Sequence, residues 1–186
     1  MFLVVGQGNP GEAYARTRHN VGFMVLDRLG LSFRQKGEAL VAEARGGLFL
    51  KPLTYYNLTG RVVAPLARFY KISPERILVV HDEMDLPLGR LRFKAGGSAA
   101  GNRGVASIAE ALGTTAFHRL RIGIGKPPAK ELGAAYVLSP FSQEEEPLLD
   151  RVLEAAREAV WCWVEEGLLP CAGRFNGLDL RQGGKL

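Results

Sequence analysis

The chain has 186 residues, 47% apolar and 23% charged, the balance of a folded domain with its own core rather than a disordered or low-complexity chain. No segment approaches the roughly 18 uninterrupted apolar residues of a membrane span. The apolar run from Met1 to Val5 is too short, and lacks a preceding basic residue, for a secretory signal. The net charge of +5 is mildly basic and suits a polyanionic partner such as nucleic acid without establishing one. Two cysteines, Cys162 and Cys171, are too few for a disulfide framework, so reduced thiols and a cytoplasmic location are expected.

Taken in chain order, Phe2–Val5 reads as a buried strand ending at Gly6, and Asn20–Leu29 as a short helix with Val21, Met24, Val25 and Leu29 on one side. Leu40–Ala44 and Leu48–Leu50 read as strands turned at Gly46-Gly47. Leu58–Tyr70 has helical spacing, with Pro65 inside predicting a kink or a late start. Ile77–His81 is an apolar strand, and Leu88–Lys94 alternates like a strand with one wet face. Asn102–Leu112 reads as a helix and Arg119–Gly125 as a strand. Ser142 and Glu145 form a capping box ahead of a long stripe from Leu149 to Val164, which Gly167 can stop. No repeat or linker divides the chain, so residues 1–186 are expected to form a single α/β domain. Its expected form is three layers, with a mixed, mostly parallel central sheet flanked by helices.

Gly6-Gln7-Gly8-Asn9-Pro10-Gly11 matches the G-x-G-x-x-G dinucleotide fingerprint, but no apolar helical stripe opens within the glycines, and Pro10 removes a backbone donor. A turn that presents Asn9 is the expectation, and a nucleotide-cofactor enzyme stands as the remote alternative. Among the three histidines, His19 lies in a polar loop feeding a helix, where a base is often held; an exposed or capping histidine would look the same. His118 reads as an exposed loop residue. Asp82, Glu83 and Asp85 follow the Ile77 strand, at the end where α/β proteins gather catalytic groups, or as solvated turn carboxylates. Strand alternation separates His81 from Asp82 and makes His19 the better partner for that carboxylate. A metal site built on His81, Asp82, Glu83 and Asp85 has no HExxH or spaced Cys/His pattern behind it. Asn57 is a helix cap or a holder of a carbonyl or water. The glycine-rich stretch from Gly96 to Gly104, with Lys94 ahead of it, is a phosphate loop, a cleft cover or a plain surface loop. Lys94 and Arg121 would clamp a phosphate if their strands are adjacent.

Together, VVGQGNPGEAYARTRHNVG, KPLTYYNLTG, ILVVHDEMDLPLG, KAGGSAAGNRG and FHRLRIGIG, in this order, resemble the bacterial peptidyl-tRNA hydrolase family over nearly the whole chain. The resemblance implies hydrolysis of the ester between a peptide and the terminal ribose of tRNA in peptidyl-tRNA released early from the ribosome. His19 would be the base, Asp82 its carboxylate, Asn9 the residue separating blocked from free aminoacyl ends, and Asn57 a holder of the substrate's end. Tyr14, Asn20, Tyr55, Tyr56, Asn102 and Arg103 would belong to the substrate side, and Lys94 and Arg121 would grip the acceptor-stem phosphate. It implies no metal or organic cofactor, no membrane, no obligate protein partner, and a monomer. Two departures stand out: Gly101-Asn102-Arg103-Gly104 replaces the family's usual Gly-His-Asn-Gly, and Tyr56 stands where a methionine is common. A non-catalytic RNA-binding module on the same fold is the runner-up.

Overall fold

The computed structural model describes residues 1–182, whose strands form one sheet in the order β2-β3-β4-β1-β5-β7-β6. The strands are β1 (Leu3–Gly6), β2 (Arg34–Lys36), β3 (Ala39–Ala44), β4 (Gly47–Pro52), β5 (Ile77–Glu83), β6 (Leu91–Ala95) and β7 (His118–Gly123). The central run β4-β1-β5-β7 is parallel, while β2, β3 and β6 add antiparallel edges. This is the expected mixed sheet, parallel through its centre. Its middle strands are continuous apolar runs because both faces are covered. Val4, Leu78 and Leu120 point into one layer, with α1 (Val21–Asp27) and α5 (Glu146–Glu166); Leu3, Val5 and Val79 point into the other, with α2 (Gly60–Phe69) and α3 (Arg103–Leu112).

The periodicities locate most elements to within a few residues. The capping box forms as spaced: the Ser142 amide donates to Glu145 Oε1 at 2.8 Å and the Glu145 amide to Ser142 Oγ at 3.3 Å. Helix α5 then buries Leu149, Val152, Leu153, Val160 and Trp163, each such side chain contributing about 1.5–3 kcal/mol through area removed from water. Helix α2 starts late, at Gly60, after a 3-10 turn over Tyr56–Leu58, and carries Pro65 inside it. Three short elements escaped the sequence reading: β2, which is polar and exposed, and the helices α4 (Gly133–Val137) and α6 (Leu168–Phe175). His118 is corrected from an exposed loop residue to the half-buried first residue of β7, where its Nδ1 accepts from Trp163 Nε1 at 2.9 Å.

The cysteines also correct the expectation of reduced thiols. Helix α5 stops at Gly167, whose φ of 82° turns the chain into α6. Because α6 packs back on α5, Cys162 and Cys171 come within bonding distance and form a disulfide. The residue that ends α6 closes the sheet edge: Asn176 accepts from the Phe93 amide through Oδ1 at 2.7 Å and donates to the Phe93 carbonyl through Nδ2 at 3.4 Å. Its side-chain amide stands in for one residue of a neighbouring strand.

Inside the sheet lies a buried polar pair. His81 is fully buried; its Nδ1 donates to the Asp82 carbonyl at 2.8 Å and its Nε2 accepts from Arg119 Nε at 3.1 Å. These bonds require the neutral ring with the proton on Nδ1. Burial, reinforced by the Arg119 charge, lowers the His81 pKa to about 4.

Two measurements check these features. The disulfide closes a short loop, so reductant, or Cys162→Ser with Cys171→Ser, is expected to lower unfolding free energy by about 2–3 kcal/mol in guanidinium titrations. For His81, the unfolded chain binds a proton below about pH 6.5 that the folded chain refuses until about pH 4. Stability therefore falls as pH drops through that window, by an amount on the order of 3 kcal/mol. Urea titrations at pH 7 and pH 4.5 should show a smaller acid loss in His81→Gln than in the parent.

Candidate active site

The loops leaving β1, β4 and β5 converge at the carboxyl ends of these adjacent parallel strands, where open α/β sheets place their sites. Asn9 follows β1, Tyr56 and Asn57 follow β4, and Asp82 lies near the end of β5. His19 arrives from a 3-10 turn, Arg18–Asn20, just ahead of α1. The approach depends on Gly22, where an added Cβ would collide with the Val80 carbonyl oxygen and the Gln7 backbone. Without that side chain the start of α1 presses onto the strand ends, and His19 Nδ1 lies 2.8 Å from Asp82 Oδ2. Asp82 is 4% exposed. With Nδ1 donating to the carboxylate, the neutral ring keeps its lone pair on Nε2, the atom a base needs.

The glycine motif forms no nucleotide cradle: Gly11 is followed by a 3-10 turn, and the first α-helix opens only at Val21. The loop is instead held to present Asn9. The Asn9 amide donates to Asn20 Oδ1 at 2.8 Å, and Asn20 Nδ2 donates back to the Asn9 carbonyl at 2.9 Å. Asn20 is 1% exposed, which corrects its place among the substrate contacts: it is a brace beneath the loop. The Tyr56 amide donates to Asn9 Oδ1 at 2.6 Å, so the Asn9 NH2 group is the part left to the cleft.

Tyr56 lines the same cleft, although it is only 3% exposed. Its ring stacks on His19 at 3.5 Å between centroids and 12° between planes, and its hydroxyl donates to Asp82 Oδ1 at 2.5 Å. Asn57 lies exposed in the 3-10 turn at the cleft and is not the helix cap; Thr59 occupies that position. Asn102 caps α3, its Oδ1 accepting from the Val105 amide at 3.0 Å, while its Nδ2 donates to the Tyr56 hydroxyl at 2.9 Å. Gly104 makes this reach possible, since a Cβ there would strike the Tyr56 ring and the Gln7 amide. Arg103 lies exposed on the rim, and Tyr14 meets Tyr55 edge to face at 6.4 Å.

These residues line a cleft of about 550 Å³. Met84, Gly133, Ala134, Val137 and Leu138 also line it, an apolar surface the sequence does not announce because α4 is so short. That surface is tied to the turn carrying His19. Arg18, next to His19, makes paired bonds of 2.9 Å to Glu145 and one of 3.1 Å to Ser139 Oγ, and lies over the Tyr136 and Phe141 rings. Burial alone would raise the Glu145 carboxyl, but hydrogen bonds from Arg18 and Ser142 hold it below its usual range.

Lys94 and Arg121 lie outside this cleft lining, on one face of the adjacent strands β6 and β7. Arg92 pairs directly across from Arg121, and Lys94 across from Arg119. Arg92 was missed, although the alternation in Leu91-Arg92-Phe93-Lys94 carries the signal. Arg121 Nε donates to Glu83 Oε1 at 3.0 Å. The carboxylates once weighed as metal ligands are engaged separately: Asp82 by His19 and Tyr56, Glu83 by Arg121, and Asp85 by Lys126 at 3.7 Å.

Comparison with known proteins places this geometry. Residues 3–183 match the family described as peptidyl-tRNA hydrolase. The chain is 85% identical to a peptidyl-tRNA hydrolase of Thermus thermophilus, over 98% of this chain and 100% of that protein. It is 49% identical to one of Desulfitobacterium hafniense, over 90% and 95% respectively. The crystal structure of peptidyl-tRNA hydrolase from Acinetobacter baumannii superposes with a TM-score of 0.90 at 35% identity, covering 96% of each chain. The chain belongs to the peptidyl-tRNA hydrolase family.

Proposed function

We propose that this chain hydrolyses the ester joining a peptide to the 3'-terminal ribose of tRNA, with His19 as general base, and so recycles tRNA from prematurely released peptidyl-tRNA. The observation that carries the reading is the His19–Asp82 pair lining a cleft of about 550 Å³. His19 Nε2 takes a proton from water, and the hydroxide attacks the ester carbonyl carbon. Asp82 fixes the tautomer and stabilises the imidazolium that forms. The carbonyl oxygen gains charge, and the amide groups of Asn9 and Asn57 are the donors at hand for it. As the tetrahedral intermediate collapses, the imidazolium returns its proton to the departing ribose oxygen.

An ester leaves far more readily than an amide, so this chemistry calls for no metal and no covalent nucleophile. The Asn9 orientation supports a role at the peptide end. With Oδ1 held by the Tyr56 amide, the side chain offers only N–H donors to the cleft, which suits a carbonyl acceptor. Tyr14 and Tyr55 flank the entrance, Tyr55 being 60% exposed, and present faces on which an unpaired base can stack. Lys94 and Arg121, joined by Arg92 and Arg103, supply positive charge for acceptor-stem phosphates and read no base sequence, as an enzyme acting on many tRNAs requires. No described helix is long and apolar enough to cross a membrane, and a substrate shed by ribosomes fits work in the cytoplasm.

The test is peptide release from N-acetylated aminoacyl-tRNA. His19→Ala is expected to lose about 10²–10⁴-fold in turnover while retaining tRNA binding in a filter assay. Undiminished turnover in the variant would remove His19 from the mechanism. A folded parent that binds tRNA but releases nothing would leave a binding module in place of an enzyme.

A further inference from the structure

From the geometry we infer that Tyr56 is a positioning residue which, together with Asn102, sets the basicity and the plane of His19 through Asp82. The inference rests on His19 being the base.

The direction of each hydrogen bond from Asn102 to Asp82 follows from its partners. Asn102 Oδ1 is engaged by the Val105 amide, so the side chain cannot turn over, and its Nδ2 must face the Tyr56 oxygen at 2.9 Å. That oxygen therefore accepts from Asn102, and its own hydrogen goes to Asp82 Oδ1 at 2.5 Å. The other carboxylate oxygen, Oδ2, accepts from His19 Nδ1 at 2.8 Å. The sequence is Asn102 to Tyr56 to Asp82, with His19 donating to the same carboxylate from the other side. Burial and the nearby Asp82 charge hold the Tyr56 phenol well above its ordinary pKa, so it stays a neutral donor.

A second donor on Asp82 draws charge away from the oxygen facing His19. The imidazolium is then less stabilised than it would be beside a carboxylate with one partner. At the same time the stacked phenol ring holds the imidazole plane. The other ionisable groups on the cleft around His19 are Glu83 from β5, Arg103 from α3, and Tyr14 and Tyr55 from the loops; Arg18 is turned away onto Glu145. Of all of these, Asp82 alone hydrogen-bonds the ring and Tyr56 alone stacks on it.

Tyr56→Phe keeps the stacking ring and deletes only the hydroxyl. The His19 titration midpoint, read by NMR of the imidazole in the free protein, is expected to rise by about 0.5 pH unit or more. The acid limb of kcat/KM should move the same way, with kcat falling several-fold and KM little changed. Asn102→Ser keeps a helix cap but removes the donor to Tyr56, and should shift both in the same direction by less. Because the NMR midpoint needs no turnover, it separates this inference from the assignment of His19, which rests on His19→Ala. Midpoints within 0.1 unit of the parent in both variants, or a downward shift in Tyr56→Phe, would overturn it.

Discussion

A carboxylate that is 4% exposed near the end of a central strand is tolerated only when its oxygens are hydrogen-bonded, and the architecture around Asp82 follows from that constraint. One oxygen receives His19 from the turn before α1, and the other receives Tyr56 from the turn after β4. Asn102, at the start of α3, reaches the same cluster through Tyr56. Each donor comes from a different connection, so the carboxylate ties together segments far apart in sequence. Removing Asp82 would leave His19 and Tyr56 as polar groups facing one another without the acceptor that orients them.

Helix–sheet packing sets the scale of this cluster. The donors reach Asp82 because two glycines let helices approach closer than side chains allow: Gly22 against the Val80 carbonyl, and Gly104 against the Tyr56 ring. The geometry of this cluster is a product of backbone contact as much as of side-chain choice. The second tie is Arg18, which joins the turn carrying His19 to the segment from Ser139 to Glu145, next to the apolar lining of the cleft. The His19 turn and the apolar lining of the cleft are thereby held in one frame.

Much of this was legible in the amino-acid order. Apolar runs such as Ile77–Val80 announce buried strands, and the Ser142–Glu145 pair marks where the long helix begins. Strand alternation was enough to turn Asp82 away from His81 and leave it for His19. What escaped has physical reasons. Strand β2 is all polar because an edge strand here buries nothing, and α4 is too short for any period to register. The Cys162–Cys171 bond depends on a reversal at Gly167 that spacing alone does not specify. Tyr56 and Asn20 sit within polar runs typical of substrate loops, yet burial decides their work, and burial is a property of the assembled chain.

The bridge made by Asn176 bears on how molecules of this enzyme meet one another. An open strand at the sheet's margin invites a second chain to add its own backbone, which is how folded proteins begin to form fibrils. Here one amide side chain occupies both hydrogen-bonding groups of Phe93, in the middle of β6, and leaves an incoming strand no continuous ladder. At the opposite margin, β2 carries Arg34 and Lys36, whose like charges repel a second copy aligned edge to edge. The sheet is finished by chemistry at one border and by charge at the other, which guards a concentrated solution of the native protein against self-templating.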